Sequence, residues 1–222
     1  MTKKYYLTTP LYYVNSKPHI GHAYTNIAAD TLARFQRLRG REVLFLTGTD
    51  EHGQKVDKAA REAQLTPQEF TDNIALSFQE LWKTLSISYD DFIRTTEKRH
   101  IDAVQKVWRD LYEKKEIYKD VYSGWYCTPC ETFWTDRQVL SEGGKTVCPD
   151  CKRPVDRIEE ENYFLKLSTH RQWLIDYIRS HDDFILPETR RNEVLGFLEN
   201  ELQDLCISRP KSRLSWGIVS PI

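Results

Sequence analysis

Two groups of residues in this sequence have the types and spacing to do chemistry. One is His19-Ile20-Gly21-His22, a pair of imidazoles around a glycine straight after Pro18. The other is a pair of C-x-x-C knuckles, Cys127-Thr-Pro-Cys130 and Cys148-Pro-Asp-Cys151. Two knuckles at this separation supply the thiolates of a tetrahedral zinc site, and four protein ligands leave no open position for water, so the expected metal is structural. Disulfides or reduced core thiols are the competing readings. The N-terminus, M-T-K-K-Y-Y-L-T-T-P, has no apolar signal region, which weighs against disulfides. The remaining cysteine, Cys206, reads as a small buried apolar side chain.

The histidines need rigid elements to hold them. Lys4–Thr9 is β-prone and stops at Pro10, and a loop then runs to Pro18. From Ile20 the positions Tyr24, Ile27, Ala28, Thr31, Leu32, Phe35 and Leu38 mark one face of a helix that stops at Gly40. Glu42–Thr47 is a short run without alternation, as expected of a parallel strand covered on both faces. Together these make a βαβ unit. It sets the loop before the helix and the segment Gly48–Gly53 at the carboxyl ends of neighbouring strands, where open α/β sheets bind ligands. A helix N-terminus carries roughly half a positive charge and suits phosphate. The same field disfavours imidazolium, so His19 and His22 are expected as neutral hydrogen-bond donors, with Gly21 letting a flat ligand approach. The plainer reading is two surface histidines around a turn glycine.

Further along, Thr66-Pro67-Gln68-Glu69 is a capping box opening a helix through Trp82. Asp91–Thr96 reads as a strand, and Glu97–Glu113 as a helix with Ile101, Val104, Val107, Trp108 and Leu111 inward. After Lys115 the chain turns rich in Tyr, Trp and Cys, so a domain boundary is expected near residue 116. The 222 residues, 40% apolar and 29% charged, allow one large core or two small ones. A net charge of −1 gives no global pull toward nucleic acid, and Arg34, Arg37, Arg39 and Arg41 read as a solvated helix end. No stretch approaches a membrane span, so no membrane partner is expected and the cytoplasm is the default location.

The H-I-G-H motif and the longer runs P-H-I-G-H-A-Y-T, A-D-T-L-A-R-F, F-L-T-G-T-D-E-H-G, E-E-N-Y-F and W-G-I resemble class I aminoacyl-tRNA synthetases, methionyl-tRNA synthetases in particular, over essentially the whole chain. The resemblance implies an α/β fold. Residues 1–116 would be the N-terminal half of a Rossmann-type catalytic domain, 117–212 a connective insertion with the zinc site, and 213–222 a return toward the catalytic domain. It implies activation of methionine with ATP and Mg2+ to methionyl-adenylate, then transfer of the methionyl group to tRNA(Met). Carried over by residue, His19 and His22 are catalytic groups on the ATP phosphates, with Asn15 and Gly21 in the same ATP site. Leu11 and Tyr13 would line the methionine pocket, and Asp50 would hold the ammonium group; the alternative for Asp50 is an N-cap for the helix near Gln54. Glu51 and His52 take no role.

Departures from the pattern are equally definite. The lysine-rich K-M-S-K-S loop of the family does not occur, Lys166-Leu-Ser-Thr-His170 being a poor imitation, and the last residues read W-G-I-V-S-P-I where the family has W-G-I-P-V-P. The expectation is a truncated or frame-shifted chain, inactive and prone to association alone, with the C-terminal part of the same enzyme as a candidate partner. Other classes stay open: a different class I synthetase such as the leucine or valine enzyme, a small H-x-G-H nucleotidyltransferase, and a non-catalytic zinc-ribbon nucleic-acid binder.

Overall fold

The computed structural model describes residues 3–130, 132–200 and 202–222. They form two compact units, one from the N-terminus to residue 106 with 214–221, the other 107–213 with 222. The first unit is built on a parallel sheet. β1 (Lys4–Thr8) and β2 (Tyr12–Tyr13) lie along β3 (Glu42–Asp50), which also pairs with β4 (Asp91–Arg94). Parallel neighbours need a crossover connection. α1 (Ile20–Leu38) joins β2 to β3, and α2 (Gln54–Glu62) with α3 (Pro67–Thr84) joins β3 to β4. α1 ends where Gly40 takes φ +74°, a left-handed conformation that costs glycine little. α3 opens on the expected capping box: Thr66 Oγ1 accepts from the Glu69 N–H, and the Glu69 carboxylate accepts from the Thr66 N–H. The core gathers Tyr12, Val14, Ala33, Phe45, Val56, Phe78 and Trp82.

Three expectations change in this unit. The apolar stripe of α1 faces outward, with Ile20 and Leu38 each 87% exposed, and the buried positions are Asn26, Asp30, Ala33 and Gln36. Polar contacts decide the facing: Asp30 accepts from the Ser88 N–H at 2.7 Å and from Ser88 Oγ at 2.5 Å. Arg34 and Arg37 join the same staple. Arg34 bonds Asp30 and the Ser86 carbonyl, both at 2.6 Å, and Arg37 bonds Ser88 and Asp90, so this pair, though partly open to solvent, is tied to the segment 86–90. β3 runs on to Asp50, and only its later half is covered throughout. Leu44 and its cross-strand partner Tyr6 stay exposed while Phe45 and Thr47–Thr49 are buried.

α4 (Lys98–Glu113) follows β4, beginning in the first unit and ending in the second. Ile101, Val104, Trp108 and Leu111 are half-buried as a row, but Val107 is exposed. In the second unit β5 (Ile117–Cys127) and β9 (Asp156–Leu165) form a long antiparallel ribbon. β6 (Thr132–Trp134) pairs with β5, and a short hairpin of β7 (Leu140–Glu142) and β8 (Lys145–Val147) turns through Gly143-Gly144, both at positive φ. α5 (Arg171–Ser180) and α6 (Glu188–Glu199) share a small core of Ile175, Ile178, Leu198 and Leu202. β10 (Leu205–Cys206) closes the ribbon on β9. Cys206 is only half-buried there, with Arg209 Nη1 3.7 Å from its sulfur.

Candidate functional site

α1 begins with an unusual cap. His19 is the N-cap residue in extended conformation; its Nδ1 accepts from the Gly21 N–H at 3.1 Å, and the Nδ1 of His22 accepts from the His19 N–H at 3.1 Å. The two imidazoles thus take the places that Ser and Glu hold in an ordinary capping box. A nitrogen that accepts carries no proton, so these bonds assign each neutral ring its proton on Nε2 and leave an Nε2–H donor. The rings stack, centroids 3.8 Å apart. Burial first, and the neighbouring His19 second, hold the His22 pKa below the ordinary imidazole value. Around Gly21, the atoms nearest to where a Cβ would stand are Cε1 and Nδ1 of His19, at 2.9 and 3.1 Å. A side chain at residue 21 would therefore push on the ring that caps the helix.

His22 rests on an aromatic floor that the sequence reading missed. Tyr12 meets it edge-on at 4.8 Å and Phe78 at 5.1 Å, while Tyr12 stacks on Phe78 at 5.6 Å with a 4° interplanar angle. Asn26 Nδ2 donates to the Tyr12 hydroxyl at 2.6 Å. The signal was the period of two in a strand: Tyr12 and Val14 share the buried face, which puts Tyr13 on the other. Tyr13, 51% exposed, pairs in register with Asp50 across β2 and β3. The Lys55 ammonium lies 5.5 Å from the centre of the Tyr13 ring. Leu11 is half-buried, and Asn15 is exposed in the loop that follows. Asp50 is the last residue of β3, and the N-cap residue of α2 is Gly53, three positions further on.

The cysteines converge in the second unit. Sγ atoms of Cys127, Cys130, Cys148 and Cys151 all lie within 4.8 Å of one another, with Cys127 and Cys148 buried. The closest contacts are 3.5 Å for Cys127 to Cys151 and 3.9 Å for Cys130 to Cys148, and all are free thiols. The cluster could hold a metal ion. Burial pushes the Cys127 thiol up, whereas the Arg153 backbone N–H draws the Cys151 thiol down to about 7. A cation would favour the thiolate at every position.

A parallel sheet with paired histidines at a helix start, and a cysteine cluster in a following unit, define a class. The pattern described as tRNA synthetases class I (M) matches residues 5–159 and 154–221, and the chain belongs to that family. A methionine–tRNA ligase of Caldanaerobacter subterraneus subsp. tengcongensis is 53% identical over 221 residues, covering 100% of this chain and 34% of the relative. That of Thermotoga maritima is 53% identical over 215 residues, 97% of this chain and 34% of the relative. This chain thus spans about a third of the length of these relatives. Among solved structures, Mycobacterium tuberculosis methionyl-tRNA synthetase bound by methionyl-adenylate is similar with a TM-score of 0.92 at 42% identity, over 99% of this chain and 43% of that one. Its free state gives a TM-score of 0.79 at 38% identity, over 100% of this chain and 42% of that one. Family membership sets aside the nucleotidyltransferase and zinc-ribbon readings.

Proposed function

We propose that this chain carries the first half of a methionine-activating site. Methionine reacts with ATP, held as its Mg2+ complex, to give methionyl-adenylate and pyrophosphate, and the methionyl group then passes to tRNA(Met). The observation that carries the reading is the start of α1, where two imidazoles with their protons assigned to Nε2 cap a helix after a parallel strand. As the methionine carboxylate attacks the α-phosphorus, negative charge grows on phosphate oxygens. His19 and His22 donate to that charge, each such donor being worth about 3–4 kcal/mol. Asn15 and the backbone at Gly21 belong to the ATP side. Leu11 and Tyr13 line the methionine side chain, and Asp50 takes the ammonium group. Cytoplasmic residence goes with this reading, and no helix among the described residues is long and apolar enough to cross a membrane.

The four thiols suit zinc. A tetrahedron with Zn–S of about 2.3 Å has edges of about 3.8 Å. The shortest Sγ separations, 3.5 and 3.9 Å, bracket that edge. Bound there, zinc would supply structural cohesion and no chemistry.

ATP–pyrophosphate exchange, measured in the protein at the length of its relatives, tests the reading. Methionine-dependent exchange is expected to fall by roughly 100-fold or more in the His19→Ala/His22→Ala variant. Equal rates in the two proteins would overturn it.

A further inference from the structure

Glu51 is wholly buried at the carboxyl end of the sheet, and the reaction described above gives it no part. Its backbone N–H donates to Thr95 Oγ1 at 2.9 Å and its carbonyl accepts from Trp216 Nε1 at 2.6 Å. Oε1 accepts from Thr49 Oγ1 and from Arg94 Nε, both at 2.7 Å; Oε2 accepts from Arg94 Nη2 at 2.9 Å and from the Thr96 hydroxyl. Arg94 Nη2 also reaches Asp72 on α3 at 2.6 Å. Burial works against the Arg94 charge, yet the bonds it donates to Glu51 and Asp72 hold its pKa above the usual value. On the other side of the segment the Gly53 N–H faces the Trp216 carbonyl at 3.5 Å, and the Trp216 ring lies 5.3 Å from His52.

Stability alone is a weak reason for this arrangement, because a buried ion pair is often no better than an apolar pair of the same volume. What a bidentate guanidinium–carboxylate pair supplies is one geometry. Here that geometry is imposed on the residue between Asp50 and His52. With its side chain, N–H and carbonyl all engaged, Glu51 fixes the peptide planes on both sides, and so the direction in which Asp50 leaves the strand. A substrate contact that depends on position weakens steeply when its carboxylate is displaced by about 1 Å.

We propose that Glu51 and Arg94 are positioning residues for Asp50, with the Trp216 indole completing the clamp on segment 50–53. The proposal rests on the methionine-activation reading, and it specifies amino-acid binding as the step the clamp controls. Two substitutions test it. Glu51→Gln removes the charge at nearly constant shape, and Arg94→Lys keeps the charge but loses the fork. In the protein at the length of its relatives, amide exchange of residues 50–53 should quicken by roughly tenfold, and KM for methionine should rise by roughly tenfold. KM for ATP and kcat should stay within about twofold, since the histidine cap is untouched. A purely structural role would instead quicken exchange throughout the first unit and lower activity toward both substrates alike. That pattern, or an unaltered KM for methionine, overturns the proposal. Asp50→Ala run in parallel separates the two failures. If it abolishes methionine use while Arg94→Lys leaves KM unaltered, the clamp alone is wrong. If Asp50→Ala has no effect on methionine use, the role of Asp50 falls and the positioning proposal falls with it.

Discussion

Beneath His22 the first unit stacks Tyr12, Phe78 and Trp82 onto Phe45, Val14 and Val56, whereas around the four thiols of the second unit the buried residues are Cys127, Cys148 and Val155. Two of those three are themselves ligand candidates. The first site is therefore built on an apolar foundation that exists before any ligand arrives. The second has a smaller buried core, with Trp125, Trp134 and Val139 only partly buried against it, and a metal held by the four thiols would add to its cohesion. The α5–α6 pair differs again, with a separate apolar cluster of its own.

The largest test of this contrast is chelation of the metal that the four thiols could hold. Structural zinc contributes on the order of 10–16 kcal/mol in small peptides. Chelation should therefore abolish amide protection across residues 125–155 while β1, α1, β3 and the α5–α6 pair keep theirs. Elemental analysis should find zinc bound to the protein. A metal-free preparation with the same protection would break the comparison.

Next in size is Arg94→Ala, which leaves the Glu51 carboxylate buried without its partner. Stranding a buried charge costs about 3–5 kcal/mol. Denaturant unfolding should show that loss in the first unit, with zinc retained in the second; a loss shared by both units would mean that they do not unfold separately. A smaller effect sharpens the picture. Thr66→Ala removes an N-cap remote from both sites and should lower stability by about 1 kcal/mol in thermal or denaturant melts, with zinc content and methionine use unchanged.

The smallest expected effect is a pH dependence of the first unit. Burial holds the pKa values of both His22 and His52 below the ordinary imidazole value of 6.5. The unfolded chain then takes up protons first as the pH falls through that value, so stability declines below about pH 6.5 and levels off beneath the folded pKa values. His22→Gln should flatten part of that decline in melting curves. Because His22 is only partly buried, solvent screening keeps its share small.

How much of this was legible beforehand follows from what each feature depends on. The capping box at Thr66, the stop at Gly40, the strand–helix–strand order and the two C-x-x-C knuckles are matters of spacing along the chain, and each stands in the structure where its spacing put it. The expectation of methionine as substrate rests on resemblance and not on spacing. For the facing of α1 the sequence offers hydrophobicity as its only guide, and that guide points the wrong way. The contact that overrides that guide joins Asp30 to Ser88, 58 positions away.

The inward facing of Tyr12 is hidden in the sequence for a related reason. Leu11-Tyr-Tyr-Val14 shows the alternation of a strand, but only the packing of Phe78 and Trp82 tells which alternate is inside. Two imidazoles at the start of α1 could be read from H-I-G-H, whereas their use as its cap, and with it the assignment of their protons, required the hydrogen bonds of the folded helix start. Glu51 shows the limit most directly. Its neighbours in sequence marked a ligand-facing turn, but the groups that hold it, Arg94 and Trp216, lie 43 and 165 positions further on. Short-range spacing determines elements and local donor sets; the burial of a charge is decided only when distant segments arrive to neutralise it.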